Sequence, residues 1–215
     1  DIPVNFQGGY IETEDLESYD PTEDDKLLAP EVTQDVIDDV IGKIKKAERP
    51  VLHAGYGIRL SGAYEEFRKV IEKLNIPVVT YWNAIDLIED DNPLYVGRAG
   101  NMGDRPGNWA IQNADLVVAI GTRISIRQVG YNWKTWARSA EVIMVDADQA
   151  ELRKPTLHVE MPIWADAKDF ISKLDNAIKE PIPKKNKWVD ATQSWKKDYP
   201  VVQPKQLEEN GSTAN

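Results

Sequence analysis

Three short groups of residues could take part in ligand-binding chemistry. The first is the pair Gly55 and Gly57 in "HAGYGIRLSGAYEEF" (residues 53–67), where an apolar run meets two glycines and an amphipathic run follows. Glycines let a backbone turn sharply and approach a ligand, and the amino terminus of a following helix favours negative charge. The turn suits a nucleotide phosphate, but it suits a tight strand-to-helix connection equally well, because Leu60 stands at the third glycine position of the dinucleotide motif.

The other two groups follow later apolar runs. Asp146 ends "EVIMVD", and an acid at a strand end can bind a ribose or ribityl hydroxyl. In the dinucleotide fingerprint that acid follows the glycines by about 20 residues, so the match to a simple NAD site fails, and a cap of the next turn explains Asp146 equally well. Arg123 and Arg127 follow "LVVAIG" and could bind a phosphate through their guanidinium groups, although a surface loop with ordinary ion pairs explains them slightly better.

The sequence offers no catalytic constellation of its own. It contains no GxSxG, P-loop or zinc motif. His53 lies within one apolar run and His158 near another, with no HxxxH spacing and no histidine–acid pair, so both are interpreted as packing residues. We therefore assign no catalytic residue and no metal ligand to this chain.

Composition and charge exclude several classes of protein. Nine of the 36 acidic residues lie in residues 1–25, which hold no lysine or arginine, and this leaves 27 acidic against 26 basic residues in the rest of the chain. The acidic segment is typical of a solvated linker, and no nucleic-acid partner is expected. The absence of cysteine suits a reducing, cytoplasmic location. The apolar runs are too short to span a membrane, so no membrane partner is expected.

Apolar runs alternate with amphipathic ones, which predicts an α/β fold: a Rossmann-like doubly wound parallel sheet with helices on both faces. Ser61 is expected to cap one of the helices, residues 96–108 are interpreted as a glycine-rich stretch before a short helix, and "DIPVNF" reads like the end of a strand. The predicted strands are 49–55, 75–82, 116–123, 141–148 and 159–166, and the last helices are 167–178 and 187–197.

The carboxyl ends of the five predicted strands should meet at one edge of the sheet, where ligands of such folds bind. These ends are Gly55–Gly57, Thr80–Tyr81, Gly121–Arg123, Asp146–Ala147 and Asp166–Ala167.

The order of these pieces resembles the central domain of thiamine diphosphate (ThDP)-dependent enzymes of the acetolactate synthase type. "DIPVNFQ" (1–7) resembles the stretch that closes the first domain of those enzymes, and "ERPVLHAGYGIRLSGA", "LNIPVVTYWNAIDLI" and "VIMVDADQAEL" follow in the family's order. The resemblance covers residues 1–7 and nearly all of 29–180. It implies an intact enzyme of three α/β domains. The activating glutamate belongs to the first, and the GDG…N motif for Mg²⁺ and the diphosphate belongs to the third; neither is found here.

The resemblance also implies a nucleotide site. The central domain of acetolactate synthase holds FAD without a redox role, while relatives bind ADP there or nothing. Tyr56 replaces the middle glycine of the family's turn and is expected to crowd that approach, and Gly57→Val is expected to abolish nucleotide binding. The implied contacts are Gly55, Tyr56 and Gly57 at the pyrophosphate, Thr80 and Tyr81 at the next strand end, Gly121, Thr122, Arg123 and Arg127 in the middle, and Asp146, Ala147, Asp166 and Ala167 at the adenosine end.

The resemblance divides the chain into four parts: residues 1–8 as the tail of a pyrimidine-binding domain, 9–29 as an acidic linker, 30–180 as the central domain, and 181–215 as a helix and linker toward a diphosphate-binding domain. The chain alone should be inactive. The intact enzyme, a homodimer or homotetramer, should use ThDP and Mg²⁺ to decarboxylate a 2-keto acid and to pass the fragment to an acceptor or a proton. Two alternatives stay open: an independent nucleotide-binding module of the flavoprotein or NAD type, and a structural domain with a vacant crevice.

Overall fold

One parallel sheet of six strands organises the part of the chain that the computed structural model describes, which is residues 3–14, 16–203 and 206. The spatial order of the strands is β3-β2-β1-β4-β5-β6, with every neighbouring pair parallel. This order is that of the doubly wound dinucleotide-binding folds, so the predicted Rossmann-like class is confirmed. The strands are β1 (Pro50–Ala54), β2 (Val78–Thr80), β3 (Tyr95–Arg98), β4 (Leu116–Ile120), β5 (Glu141–Asp146) and β6 (Met161–Trp164).

Helices cover both faces of this sheet. The described residues also form three 3-10 helices, at Pro21–Leu27, Ile85–Leu87 and Trp133–Thr135. The α-helices of the described residues are α1 (Val4–Gln7), α2 (Gln34–Lys46), α3 (Gly57–Leu60), α4 (Tyr64–Leu74), α5 (Arg105–Asn113), α6 (Ile126–Val129), α7 (Gln149–Leu152), α8 (Ala167–Ala177) and α9 (Asn186–Asp198).

The central strands β1, β4 and β5 are largely apolar because each face of the sheet packs against its own core. In β4, Val118 and Ile120 belong to the core that contains the apolar stripes of α2, α4 and α8. Val117 and Ala119 point the other way, into the core that contains residues of α5 and α7 and Trp188 of α9. Successive side chains of a strand alternate between faces, so two covered faces require a continuous apolar run.

Three local expectations from the sequence are wrong. Residues 95–98, assigned partly to a glycine-rich stretch, form the edge strand β3, which is only four residues long and contains Gly97. Ser61 does not cap α4; it follows the one-turn helix α3, and its hydroxyl donates to the carbonyl of Ile58 at 3.1 Å. The expected strand end in "DIPVNF" is the exposed helical turn α1 over its described residues.

Helix α9 packs on the sheet rather than leading away from it. The indole Nε1 of Trp188 donates to the carbonyl of Pro50 at 3.0 Å, at the first residue of β1, and Trp188 is buried. The side chain of Gln193 donates to the carbonyl of Tyr95 at 3.1 Å. These contacts tie residues 186–198 to the β1 and β3 region of the sheet.

The turns after β1 and β4 touch each other through their backbones. The amide of Gly55 donates to the carbonyl of Ile120 at 2.9 Å, and the amide of Gly57 donates to the carbonyl of Gly121 at 3.0 Å. A Cβ atom added to Gly55 would lie 2.2 Å from the Gly121 oxygen, and one added to Gly57 would lie 2.7 Å from the Gly121 Cα. Gly121 itself has φ +60°, which favours glycine. Packing of the two turns therefore accounts for all three glycines.

Because of this contact, a substitution at Gly57 tests the stability of the fold and not only the binding of a ligand. We expect Gly57→Ala to lower the free energy of unfolding by about 1–3 kcal/mol, because the added methyl group must push the two turns apart. The matched control is Gly42→Ala in α2, where an added Cβ meets nothing within 4 Å. That variant should gain about 0.5–1 kcal/mol, since alanine replaces glycine inside a helix. Urea unfolding measures both; an unchanged midpoint for Gly57→Ala would show that the turns are not in tight contact.

Candidate functional site

A crevice of about 450 Å³ opens at the carboxyl edge of the sheet. It lies at the ends of β1, β4, β5 and β6, with Tyr81 and Asn83 from the segment after β2. The chain leaves β1 toward one face of the sheet and β4 toward the other: Ile58 belongs to the first core and Ile124 to the second. The crevice therefore includes the point where the winding of the sheet reverses, which is the usual ligand position in doubly wound folds.

The crevice brings together most of the residues that the sequence nominated. Gly55, Thr80 and Arg127 do not line it. Gly55 lies beneath the turn, Thr80 is buried with its hydroxyl 3.1 Å from that of Tyr95, and the Arg127 guanidinium lies 5.9 Å from the ring centre of Trp82. The nominated residues that do line it are Tyr56, Gly57, Tyr81, Gly121, Thr122, Arg123, Asp146, Ala147, Asp166 and Ala167. Their part in binding a ligand stays a prediction.

Tyr56 lies at the wall of the crevice and is 41% exposed. The backbone of Tyr56 is helical, with φ −66° and ψ −18°, and it leads directly into α3. Tyr56 therefore lines the crevice without filling it, and a cavity of about 450 Å³ remains beside its side chain. Helix α3 has only four residues, so its short dipole offers little attraction for a phosphate.

Asp146 lines the crevice, and one of its two carboxylate oxygens has no partner in the described part of the chain. Its Oδ1 accepts the amide of Asp148 at 3.0 Å, as expected of a residue that caps the following turn. Its Oδ2 is buried and has no hydrogen-bond partner among the described residues, and the residue is 8% exposed. Burial raises the pKa of Asp146 above its usual range, and the bond from the Asp148 amide only partly offsets that effect. The cap of the following turn is therefore confirmed for Oδ1, while a ligand contact at Oδ2 stays a prediction.

Thr122 is a second lining residue of the crevice with a buried polar atom. The residue is 3% exposed, lines the crevice, and its Oγ1 has no partner in the described part of the chain. Buried polar atoms in folded proteins almost always bond to protein, water or ligand. A hydroxyl-bearing ligand in the crevice would give both Thr122 and Asp146 a partner.

Asp166 is occupied by the helix that it begins. Its Oδ1 accepts the amide of Lys168 at 2.8 Å and that of Asp169 at 3.2 Å, so it is the N-cap of α8. Such a cap stabilises a helix by about 1 kcal/mol. The carboxylate of Asp166 therefore stabilises α8 whether or not a ligand binds.

Arg123 is paired with a residue that sequence reasoning missed. Its Nε lies 2.9 Å and its Nη2 2.5 Å from Oε1 of Glu151, which belongs to α7. The other oxygen of Glu151 accepts Lys154 Nζ at 2.9 Å. The only sequence signal for this network is the i, i+3 spacing of Glu151 and Lys154, because Arg123 lies 28 residues earlier.

Lys154 also binds the turn that carries Arg123. Its Nζ donates to the carbonyls of Arg123 and Ile124, the latter at 3.1 Å. Arg123 and Ile124 have φ values of +55° and +42°, which are unfavourable for residues other than glycine, above all for a β-branched one. The turn after β4 is therefore held in a strained conformation by a lysine from the segment after α7.

The two histidines take no part in the crevice. His53 is fully buried in β1, its Nδ1 lies 3.2 Å from the carbonyl of Val79, and burial lowers its pKa to about 4. His53 is therefore a core residue, as interpreted, although its Nε2 has no hydrogen-bond partner among the described residues. His158 is exposed, but its Nε2 lies 3.3 Å from Oε1 of Glu160, so the expectation of no histidine–acid pair is wrong.

The described ranges, 3–14, 16–203 and 206, contain neither a metal-binding cluster nor a membrane-spanning helix. No group of three His, Cys, Asp or Glu side chains in these ranges could hold a metal ion. The longest α-helices there, α2 and α9, have 13 residues, and none is both long and apolar enough to cross a bilayer.

Comparison with known proteins assigns the family. The family model described as "Thiamine pyrophosphate enzyme, central domain" matches residues 37–174. Among similar proteins, a probable acetolactate synthase large subunit of Methanococcus aeolicus is 38% identical over 170 residues, which is 74% of this chain and 28% of the relative. That of Methanocaldococcus jannaschii is 32% identical over 206 residues, 92% of this chain and 33% of the relative.

A bacterial relative gives the same result. The acetolactate synthase large subunit of Corynebacterium glutamicum is 32% identical over 208 residues, which is 93% of this chain and 32% of that protein. The chain thus spans about a third of the length of the relatives it matches. The doubly wound sheet, the crevice at its carboxyl edge and the match over residues 37–174 agree, and the chain belongs to the central-domain family of thiamine pyrophosphate enzymes.

Proposed function

We propose that this chain is the non-catalytic central domain of an acetolactate synthase-like, ThDP-dependent enzyme, and that its crevice holds the nucleoside part of a nucleotide such as FAD or ADP. The observation that carries the proposal is the buried, unpartnered Oδ2 of Asp146, a residue that lines the crevice at the switch point of the sheet. The names of the relatives, all acetolactate synthase large subunits, support the enzyme class.

The crevice fits the sugar of a nucleoside by size and by hydrogen-bonding groups. A volume of about 450 Å³ lies within the range of small-molecule sites in proteins. A ribose or ribityl hydroxyl would donate to Oδ2 of Asp146, and a second hydroxyl would bond to Oγ1 of Thr122, both of which lack partners in the described residues.

The ligand would act as a structural group in this proposal. Bound FAD or ADP would contribute binding energy that stabilises the folded domain, since a ligand that binds only the folded state shifts the unfolding equilibrium. Asp146 and Thr122 would orient the sugar, Asp166 would keep α8 in place, and Tyr56 would limit access of water at the wall.

The chemistry of the intact protein would lie outside this chain. We propose that ThDP and Mg²⁺ bind to neighbouring domains, that the intact protein is a cytoplasmic homodimer or homotetramer of the transferase or lyase class, and that this chain alone does not turn over a 2-keto acid. An independent nucleotide-binding module of the flavoprotein or NAD type would share the Asp146 site. The family match over residues 37–174 favours the domain role.

The proposed contact between Asp146 and the ligand sugar predicts that the chain prefers nucleosides with ribose hydroxyls to those without them. Adenosine should bind more tightly than 2′,3′-dideoxyadenosine, which lacks both ribose hydroxyls, and Asp146→Asn should weaken adenosine by about 5- to 10-fold with little effect on the dideoxy compound. Isothermal titration calorimetry measures both affinities. The control is Asp190→Asn on the exposed surface of α9, which should change neither. Equal affinities for the two nucleosides in the unsubstituted chain would refute the proposed site.

Asp146→Asn should also change the pH dependence of stability. The pKa of Asp146 is higher in the folded chain than in an unfolded one, where aspartate has a pKa of about 4. The protonated Asp146 therefore stabilises the fold below about pH 4, and this stabilisation is lost as the pH rises through the folded-state pKa. The variant does not titrate there and can still accept the Asp148 amide. Its stability relative to the unsubstituted chain should therefore increase from pH 4 to pH 7 in urea unfolding. A difference that stays constant with pH contradicts the raised pKa.

The proposed location of catalysis predicts a contrast between the chain and its full-length parent. The full-length protein, supplied with ThDP and Mg²⁺, should convert pyruvate to acetolactate, whereas the 215-residue chain should release no carbon dioxide from pyruvate under the same conditions. Colorimetric detection of acetolactate and a coupled carbon dioxide assay measure the two outcomes. Turnover by the isolated chain, or a full-length gene that encodes no GDG…N motif, would overturn the assignment.

A further inference from the structure

A second cavity, of about 820 Å³, lies at the edge of the sheet opposite the crevice. Its lining residues are Glu48–Arg49 before β1, Gln112–Asn113 at the end of α5, Arg138–Ser139 before β5, and residues of the segment 185–195 in and just before α9. We call this the amino-edge cavity, because β1, β4 and β5 all begin beside it. Its volume lies within the range of small-molecule sites in proteins.

The lining of the amino-edge cavity is strongly cationic. Four of its side chains carry a positive charge and one, Glu48, carries a negative charge, whereas the chain as a whole has a net charge of −10. A concave surface lined by one sign of charge concentrates counter-ions of the opposite sign. The cavity therefore attracts anions. Its cations are Arg49, Arg138, Lys185 and Lys187.

Two of these cations have no partner in the described part of the chain. Arg138 and Lys187 are exposed, and neither side chain forms an ion pair or a hydrogen bond with another described residue. Asp190 follows Lys187 by three positions in α9, but the two form no ion pair. Arg138 and Lys187 can therefore bind an anion without breaking an existing contact.

The other two cations are held in place by neutral groups. The Nε of Arg49 donates to the carbonyl of Asn113 at 2.8 Å, and the Nζ of Lys185 donates to the carbonyl of Lys45 at 3.0 Å. The single acid of the lining, Glu48, lies 3.9 Å from Nη1 of Arg49 and its side chain is 85% exposed, so that pair is weak. Carbonyl groups orient Arg49 and Lys185 but leave their positive charge available to a ligand.

Two indole rings give the same cavity a rigid apolar wall. Trp188 and Trp195 line it with their ring centres 5.7 Å apart and their planes at 84°. Trp188 is buried and fixed by its bond to the carbonyl of Pro50, while Trp195 is partly exposed and also packs edge-on against Trp109 at 5.9 Å. Since neighbouring groups already hold both rings, a flat ligand that packs on Trp195 orders little that is mobile.

From these features we propose that the amino-edge cavity binds an aromatic anion with two or more carboxylate groups. The ring of the ligand packs on Trp195, and its carboxylates bind to Arg138 and Lys187, with Arg49 and Lys185 adding attraction. The cations come from three separate segments of the chain, before β1, before β5 and at the start of α9, which suits several anionic groups spread around a ring. This site is independent of the nucleotide proposed for the crevice.

Trimesate, a benzene ring with three carboxylates, is a suitable probe of the amino-edge cavity. Isothermal titration calorimetry on the 215-residue chain at low salt should show binding with a dissociation constant of about 1 mM or below. Arg138→Gln combined with Lys187→Gln should weaken binding about tenfold or more, because each removes a charge-assisted contact. The matched control is Lys69→Gln with Arg153→Gln, which removes two exposed, unpaired cations outside the cavity and should leave the affinity unchanged.

The contribution of the ring is tested with tricarballylate, a flexible tricarboxylate without a ring. Trimesate should bind about fivefold more tightly than tricarballylate, and Trp195→Leu should bring the two affinities together, because leucine keeps an apolar side chain but offers no flat ring. Pyrophosphate, a compact anion without a ring, should bind more weakly than trimesate.

Three results would overturn the proposal: no binding of trimesate, an equal loss of affinity in the cavity variant and its control, or binding of tricarballylate or pyrophosphate as tight as that of trimesate. Each would mean that the cations form an ordinary solvated surface. The substituted cations are exposed, so these variants should fold like the unsubstituted chain. Asp146→Asn should leave trimesate binding unchanged, so the result is separate from that of the adenosine experiment.

Discussion

The contact between the turns after β1 and β4 is the constraint on which the rest of the structure depends. Two neighbouring parallel strands end here, and the chain leaves them toward opposite faces of the sheet. The backbones of Gly55, Gly57 and Gly121 approach so closely that no side chain fits between them. The approach leaves room beyond the strand ends, and that room is the crevice. A larger residue at any of the three would alter the sheet and the site together.

The groups around the crevice are not arranged for stability alone. Asp146 is buried with one oxygen unpartnered, and Arg123 and Ile124 adopt left-handed conformations that must be held by Lys154. Each feature destabilises the fold to some degree, and the continuous cores on both faces of the sheet compensate for it. Local departures of this kind concentrate at functional sites, and here they adjoin the crevice at the ends of β4 and β5.

Several parts of the structure follow from local sequence, and others do not. The buried strands β1, β4 and β5 are continuous apolar runs, and α4 shows helical spacing at Phe67, Val70, Ile71 and Leu74, so their patterns identify them. Strand β3 was not predicted from the sequence, because a strand of only four residues that contains a glycine shows almost no periodic pattern of apolar side chains. The strand ends could be placed at one edge because parallel strands share a direction, and ten of the thirteen nominated residues do line one crevice there.

The sequence by itself determined the α/β class, the parallel sheet and the family resemblance, because continuous apolar runs and motif order are properties of the linear chain. Only the tertiary structure decided what the nominated residues do. It showed that Gly57 packs against Gly121, that Asp166 caps α8, and that Arg123 binds Glu151. The first and third pairings join residues far apart in the chain across turns whose geometry depends on the whole sheet, so no local pattern encodes them, whereas the Asp166 cap is a contact to residues two and three positions later. The same holds for the free oxygen of Asp146, whose availability depends on what the fold leaves unpaired around it.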